Sequence, residues 1–203
     1  DMKTGSPAFG TPEYMRATQM SGQMARFYNL PLRSSSACAA NYPDSQSAWE
    51  SAFSLWACVS SRTNVVYHSA GWLEGGLCAS YEKFVMDCET LQQMIHYMQP
   101  VTTSAGDLAF EAIRDVGPTG HFFGTEHTLE RYETAFYAPF LSDWSNFENW
   151  EERGSIQTPQ RANKIWKQIL AEFEPPPTDP SIREELQAFV AKRKEEGGAP
   201  TDF

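Results

Sequence analysis

Residues 65–78 read VVYHSAGWLEGGLC, and this stretch decides the class of fold. Its first three residues are β-branched or aromatic, which predicts a buried strand. The pattern then breaks at Gly71, because glycine permits backbone conformations that other residues avoid. The loop that follows combines glycines with an imidazole, an indole and a carboxylate, so it is the first place to look for a ligand.

Helices and one more strand flank this segment. Residues 80–99 repeat apolar side chains every three or four positions, and residues 45–61 follow an aspartate suited to capping a helix. Thr11 is suited to cap a further helix over residues 11–29, and residues 30–36 predict a strand that runs into a Ser/Ala-rich loop. Alternating strands and helices indicate parallel strands joined by crossover helices, either in a doubly wound sheet or in a segment of a (β/α)8 barrel.

Beyond residue 105 the sequence predicts helices without convincing strands. The helical segments are residues 107–116, 127–140, 158–173 and 181–194. We therefore expect β/α units over residues 1–105, a helical region over residues 106–196 and a flexible tail over residues 197–203.

Composition excludes several classes of partner. The formal net charge of -10 argues against a nucleic-acid surface, since affinity for phosphates comes largely from clustered Lys and Arg. The longest uncharged apolar run, residues 64–72, is far shorter than the roughly 20 residues that cross a bilayer. The sequence therefore predicts a soluble, cytoplasmic protein that binds neither nucleic acid nor membrane.

The four cysteines lack the close paired spacing of a zinc ribbon or a disulfide framework. Free thiols packed as small buried residues are the favoured interpretation. An alternative zinc site would use Cys38 and Cys78 together with His68 or Glu74.

Ligands of parallel α/β folds lie beyond the carboxyl ends of the strands, so the loops 34–41, 68–78 and 117–124 are expected to converge. Residue chemistry nominates six pocket side chains: Tyr67, His68, Trp72, Glu74, His121 and Phe122. Structural alternatives remain for three of them. Trp72 would serve as packing, His68 as a core histidine, and Glu74 as a helix cap or surface ion-pair partner.

Several segments resemble the trimethylamine methyltransferase family. The stretch AGWLEGGL at residues 70–77 is followed by SYEK at 80–83 and by Asp87. GHFFG at 120–124, QRAN at 160–163 and FEPP at 173–176 also agree, so the resemblance covers nearly the whole chain.

The resemblance implies a (β/α)8 barrel about twice this length, of which the chain would form the C-terminal half plus a helical C-terminal extension. It also implies a corrinoid carried by a separate partner protein. In the founding enzymes a pyrrolysine occupies the loop matched here to residues 36–38, where only ordinary residues stand. The sequence is thus more similar to the branch that demethylates quaternary amines such as glycine betaine.

The resulting expectation is transfer of a methyl group from a small methylated amine to the Co(I) of a corrinoid protein. A cationic substrate carbon is already activated, so no catalytic side chain and no directly bound metal are assigned, and an aromatic pocket would orient the cation. Candidate donors to a substrate carboxylate are His68, His121 and Arg33. The residues expected beside the corrinoid are Gly71, Gly75, Gly76, Ser36 and Cys38.

Two alternatives stay open from the sequence. A zinc ion would assist a methyltransferase that acts on a less activated donor, such as an alcohol or a thiol. A barrel half that cannot close a site would instead be an inactive assembly module. Unpaired strand edges would favour a homo-oligomer or a companion segment.

Overall fold

The structure is a computed structural model and describes residues 1–197, so the predicted tail lies outside the described residues except for Gly197. The helices are α1 (Pro12–Phe27), α2 (Ser45–Ser60), α3 (Tyr81–Tyr97), α4 (Ala105–Leu108), α5 (Phe110–Val116), α6 (Glu126–Arg131), α7 (Phe147–Glu152), α8 (Thr158–Ala171) and α9 (Pro180–Glu195). The strands are β1 (Arg33–Ser35), β2 (Val65–Tyr67), β3 (Trp72–Leu73) and β4 (Cys78–Ala79), and a 3₁₀ turn occupies Glu74–Gly76.

Strands β1 and β2 form a parallel pair, with Arg33 opposite Val65 and Ser35 opposite Tyr67. Helix α2 lies between them in the chain, so the predicted crossover of two parallel strands is confirmed. The prediction that β2 is buried is wrong, because Val65 is 52% exposed and Tyr67 47% exposed. Within residues 1–197 the sheet has two strands, and so small a sheet leaves the side chains of β2 open to solvent.

The first two long helices begin where their capping residues predicted, and α3 begins one residue after the start of the predicted helix at residue 80. The side chain of Thr11 accepts a hydrogen bond from the amide of Tyr14, and that of Asp44 accepts one from Ser47. Ser80 caps α3 in the same way, through the amide of Lys83. Each cap satisfies an amide that has no partner inside its helix, which fixes the first turn.

Residues 72–79 form an antiparallel hairpin instead of the predicted open loop, with Trp72 opposite Ala79 and Leu73 opposite Cys78. Both strands have two residues, which is too short for a detectable alternation of apolar and polar positions. Gly75 and Gly76 make the turn at φ values of 63° and 95°, a region that glycine enters without strain.

The helical region differs from prediction in two places. The predicted helix at residues 127–140 is helical only up to Arg131, within α6 (Glu126–Arg131), and Pro139 lies in the irregular segment beyond it. The predicted helix at 107–116 is split into α4 and α5, because Ala109 has a left-handed φ of 52°. Helices α8 and α9 confirm the predictions at 158–173 and 181–194, and no strand follows Ala79 within residues 1–197.

The chain divides into two compact units, the first ending at Gln168 and the second beginning at Ile169. In the first unit α1 packs on α2, and Gly22 allows the approach, since a Cβ there would lie 2.6 Å from the carbonyl oxygen of Ser61. An apolar cluster of Val85, Leu141 and Ala162 joins α3 to the helical region. None of the helices in residues 1–197 has the length and hydropathy needed to span a bilayer.

Candidate functional site

The loops that leave β1 and β2 meet at the carboxyl ends of the strands. The hydroxyl of Ser36 donates to the carbonyl oxygen of His68 over 2.9 Å. The Ser35 hydroxyl shares a hydrogen bond with Nδ1 of His68, also at 2.9 Å. The imidazole is therefore held against β1. The backbone of His68 has a φ of 51°, a conformation that is uncommon for a residue with a side chain.

An aromatic cluster, defined here as Tyr67, His68 and Trp72, lies at this position. The rings of His68 and Trp72 meet edge to face with centroids 5.2 Å apart, and those of Tyr67 and His68 are 6.0 Å apart. The guanidinium carbon of Arg33 lies 4.4 Å from the centroid of the Tyr67 ring. Tyr67 and Arg33 are exposed, and the other two rings are half-buried.

Backbone hydrogen bonds join the two loops into one body. The amide of Gly75 donates to the carbonyl oxygen of Cys38 over 2.8 Å, and that of Glu74 donates to Ala40 over 2.9 Å. The thiol of Cys38 donates to the carbonyl oxygen of Trp72 over 3.1 Å. The loop after β1 therefore positions the residues of the hairpin.

Buried charged side chains of α2 and α3 bind the backbone of both loops. Oε2 of Glu50 accepts the amides of Ala39 and Ala40 over 2.7 and 3.1 Å. Oδ2 of Asp87 accepts the amide of Gly71 over 2.8 Å, and its Oδ1 pairs with Nζ of Lys83. Burial raises the pKa of Asp87, an effect that the ammonium of Lys83 opposes.

Sequence reasoning assigned no role to these charged side chains. A usable signal exists for one pair, since Lys83 and Asp87 stand four residues apart within the apolar stripe of α3. Glu50 gives no such signal, because its partners are amides of a loop that only the tertiary structure brings to it.

Of the four residues of the alternative zinc site, two contact each other, while Cys38 and His68 contact different groups. The exposed thiol of Cys78 donates to Oε2 of Glu74 over 3.0 Å, and this hydrogen bond raises the pKa of Cys78. Burial raises the pKa of Cys38, whose thiol faces the backbone of Trp72. In the described part of the chain, no three His, Cys, Asp or Glu side chains are grouped as metal ligands.

The five residues expected beside a corrinoid differ in accessibility. Ser36 and Cys38 are buried and hold the loops together. Gly71 is also buried, and a Cβ there would lie 3.1 Å from Cβ of Phe84. A Cβ on Gly75 would contact Phe9 at 3.4 Å, whereas one on Gly76 would have no atom within 4 Å. Gly76 is thus the glycine with open space around it.

The third predicted loop lies elsewhere. His121 lines a cavity of about 930 Å³ that is formed by residues 105–131 and includes no residue of the other two loops. The ring of His121 packs near Phe123, and Phe122 is exposed. The structure therefore brings together Tyr67, His68 and Trp72, with Glu74 in the adjoining turn, and places His121 in a cavity apart from them.

Comparison with known proteins identifies the family. Residues 1–198 match the family model described as Trimethylamine methyltransferase (MTTB). The chain belongs to the trimethylamine methyltransferase family. The resemblance predicted from residues 70–77 and the later segments is thereby confirmed.

Family members differ in how similar they are to the chain. A glycine betaine methyltransferase of Desulfitobacterium hafniense is 41% identical over 199 residues, which is 98% of this chain and 41% of that protein. The trimethylamine methyltransferase MttB2 of Methanosarcina mazei is 30% identical over 95% of this chain and 39% of that protein. The chain thus spans about two fifths of the length of these relatives.

Residues that carried the family resemblance form partly buried contacts in this structure. Glu82 accepts hydrogen bonds from Nδ2 of Asn163 and Nε1 of Trp166 over 2.7 and 2.8 Å. Arg161 donates from Nε to the carbonyl oxygen of Leu141 over 3.0 Å. These family-motif side chains join α3 to α8 and support the fold around the loops.

Proposed function

We propose that the chain forms part of an enzyme that transfers a methyl group from a small quaternary amine of the glycine betaine class to the Co(I) of a corrinoid protein. The observation that carries this proposal is the 41% identity with a glycine betaine methyltransferase over 98% of the chain. The ordinary residues at positions 36–38, matched to the pyrrolysine loop, support the quaternary-amine branch.

The aromatic cluster suits a methylated ammonium group. A cation within about 6 Å of an indole or phenol ring is attracted to its face, and partial burial strengthens the attraction. Trp72 is half-buried beside His68, and the hydrogen bond between Ser35 and Nδ1 of His68 keeps the imidazole in place. We assign orientation of the N-methyl group to Trp72, with Tyr67, His68 and Glu74 around it.

Arg33 suits the carboxylate of a betaine. Its guanidinium is exposed and lies next to Tyr67, so an anion bound there would place the other end of a short zwitterion over the aromatic cluster. The assignment of substrate contacts to His121 and Phe122 stays a prediction from their sequence position.

The corrinoid, brought by a partner protein as a second substrate, supplies a two-electron nucleophile for the methyl carbon. As the methyl group leaves, the electron pair of the C–N bond stays with the amine nitrogen, which becomes neutral. The Gly75–Gly76 turn would allow the corrinoid to approach the loops closely, because a Cβ at Gly76 would meet no atom within 4 Å.

We further propose that β1, α2 and β2 are β/α units of a (β/α)8 barrel. Each strand of this parallel pair has a free edge within residues 1–197, which is typical of a segment of a larger sheet. The exposed side chains of Val65 and Tyr67 support this, since such residues are normally covered on both faces of a parallel sheet.

The test uses the longest natural form of the protein that contains residues 1–203, a reduced corrinoid protein and a panel of methylated amines. We expect the absorbance of Co(I) to convert to that of methyl-Co(III) with glycine betaine or another quaternary amine. Trp72→Leu should raise the KM for the donor about five- to thirtyfold, equivalent to the ~1–2 kcal/mol of a partly buried cation–π contact.

The neutral tert-butyl analogue of betaine serves as the control donor, because it has the same shape without the charge. It should neither react nor compete well. Conversion with trimethylamine but with no quaternary amine would contradict the proposal, as would a requirement for stoichiometric zinc.

A further inference from the structure

Two carboxylates from neighbouring helices hold the backbone of the candidate site. Glu50 of α2 accepts two successive amides, Ala39 and Ala40, in the loop after β1. Asp87 of α3 accepts the amide of Gly71, the residue immediately before Trp72. The same helices also contact each other through Nζ of Lys83, which donates to Oγ of Ser51 over 2.7 Å.

The burial of these groups indicates a role in geometry. Lys83 is 0% exposed, Asp87 3% and Glu50 8%. Removing charges from water is costly, and a buried ion pair is often no more stabilising than apolar residues of similar volume. Hydrogen bonds donated by backbone amides to a fixed carboxylate, in contrast, constrain both the position and the direction of a loop.

We propose that Glu50 and Asp87 are positioning residues for methyl transfer, and this inference rests on the proposed function. Asp87 fixes Gly71 and thereby the start of the hairpin that presents Trp72. Glu50 fixes Ala40, whose carbonyl oxygen accepts the amide of Glu74. Both carboxylates act through the backbone and neither contacts the substrate.

The chain contains a matched control carboxylate, Glu89 of α3. It is 4% exposed, and its Oε2 accepts two successive amides, those of Phe140 and Leu141, each over 3.2 Å. A glutamine four residues away also donates to it, as Gln46 does to Glu50. Glu89 therefore repeats the chemistry of Glu50 on a loop away from the candidate site.

The first measurement is amide hydrogen exchange on residues 1–203. Glu50→Ala should speed exchange at residues 36–41 and 71–76 on the order of tenfold, while Glu89→Ala should speed it at residues 140–142 only. Glu50→Gln keeps an oxygen for the two amides and should restore most of the protection. Equal exchange at residues 36–41 in Glu50→Ala and the unsubstituted chain would overturn the proposal.

The second measurement is the kinetics of the longest natural form with a quaternary amine donor. Glu50→Ala should raise KM for the donor on the order of tenfold or more, because small displacements of orienting groups have large effects on rate and binding. Glu89→Ala should leave KM unchanged even if it lowers the thermal midpoint of unfolding as much as Glu50→Ala does. Equal changes of KM in the two variants would show a merely structural role.

The double variant Lys83→Met with Asp87→Leu tests the second carboxylate without leaving an unpaired charge. It should remain folded, lose protection at Gly71 and raise KM for the donor. Unchanged KM together with lost protection would overturn the positioning role of Asp87. If the unsubstituted enzyme transfers no methyl group from any donor, the proposed function and the catalytic part of this inference both fail, while the exchange rates still decide whether the carboxylates hold the loops.

Discussion

Glu82 shows how strongly one side chain depends on its neighbours. Its carboxylate accepts hydrogen bonds from Asn163, Trp166 and Ser80, and the bond from Asn163 is the largest cause that lowers the pKa of Glu82 from 4.5 to about 2. Hydrogen bonds to the charged form favour ionisation of a carboxyl group. The ionised side chain therefore links the start of α3 to α8.

The lowered pKa predicts a pH dependence of folding. A carboxyl group whose folded pKa lies below its unfolded value stabilises the protein above pH 4.5, and this stabilisation is lost as the pH falls toward 2. Glu82→Gln should lower the free energy of unfolding by about 1 kcal/mol at pH 7, a small value because solvent reaches the side chain.

Urea unfolding at pH 7 and at pH 3 measures the effect, with exposed Glu152 as the control position. The difference between Glu82→Gln and the unsubstituted protein should shrink at pH 3, whereas Glu152→Gln should change little at either pH. An undiminished difference at pH 3 would contradict the assignment of the pKa.

At the scale of elements, the β3–β4 hairpin depends on glycines for two separate reasons. Gly71 and Gly76 both have positive φ, at 85° and 95°. A Cβ at Gly71 would lie 3.1 Å from Cβ of Phe84 on α3, whereas one at Gly76 would meet no atom within 4 Å. Conformational strain applies to both positions, and crowding applies to Gly71 alone.

Alanine substitutions separate these two costs. Gly76→Ala should destabilise the fold by roughly 1–2 kcal/mol, the cost of a left-handed conformation with a side chain. Gly71→Ala should add about 1–3 kcal/mol from overpacking against Phe84. Chemical denaturation of both variants gives the comparison, and equal losses would mean that α3 moves aside without cost.

At the scale of the whole molecule, much apolar surface is uncovered within residues 1–197. Both two-stranded sheets have free edges, and Val65 and Tyr67 of β2 are about half exposed. Free strand edges beside apolar surface favour association with another chain. The uncovered strands fit a chain that spans about two fifths of the length of its relatives.

A complementation experiment tests whether a companion segment covers these strands. We expect residues 1–203 alone to self-associate in analytical ultracentrifugation. Co-expression with the part of the Desulfitobacterium hafniense relative that this chain does not match should yield a 1:1 complex instead. A monodisperse monomer that ignores the companion segment would contradict the barrel proposal.

Local sequence determined the elements whose signals are local. The caps Thr11 and Asp44 and the apolar repeats of α1 and α3 predicted the first three long helices, because capping and helical periodicity act over three or four residues. Motif residues around AGWLEGGL also identified the family, which the match over residues 1–198 confirms.

Tertiary contacts alone establish which loops meet and which side chains support them. The hydrogen bonds between the hairpin and the loop after β1, the placement of His121 in a cavity apart from the other two loops, and the amides bound by Glu50 and Asp87 depend on residues distant in sequence. These contacts are stabilised by the pairing of groups that folding brings together and removes from water. No periodicity or spacing along the chain therefore predicts them.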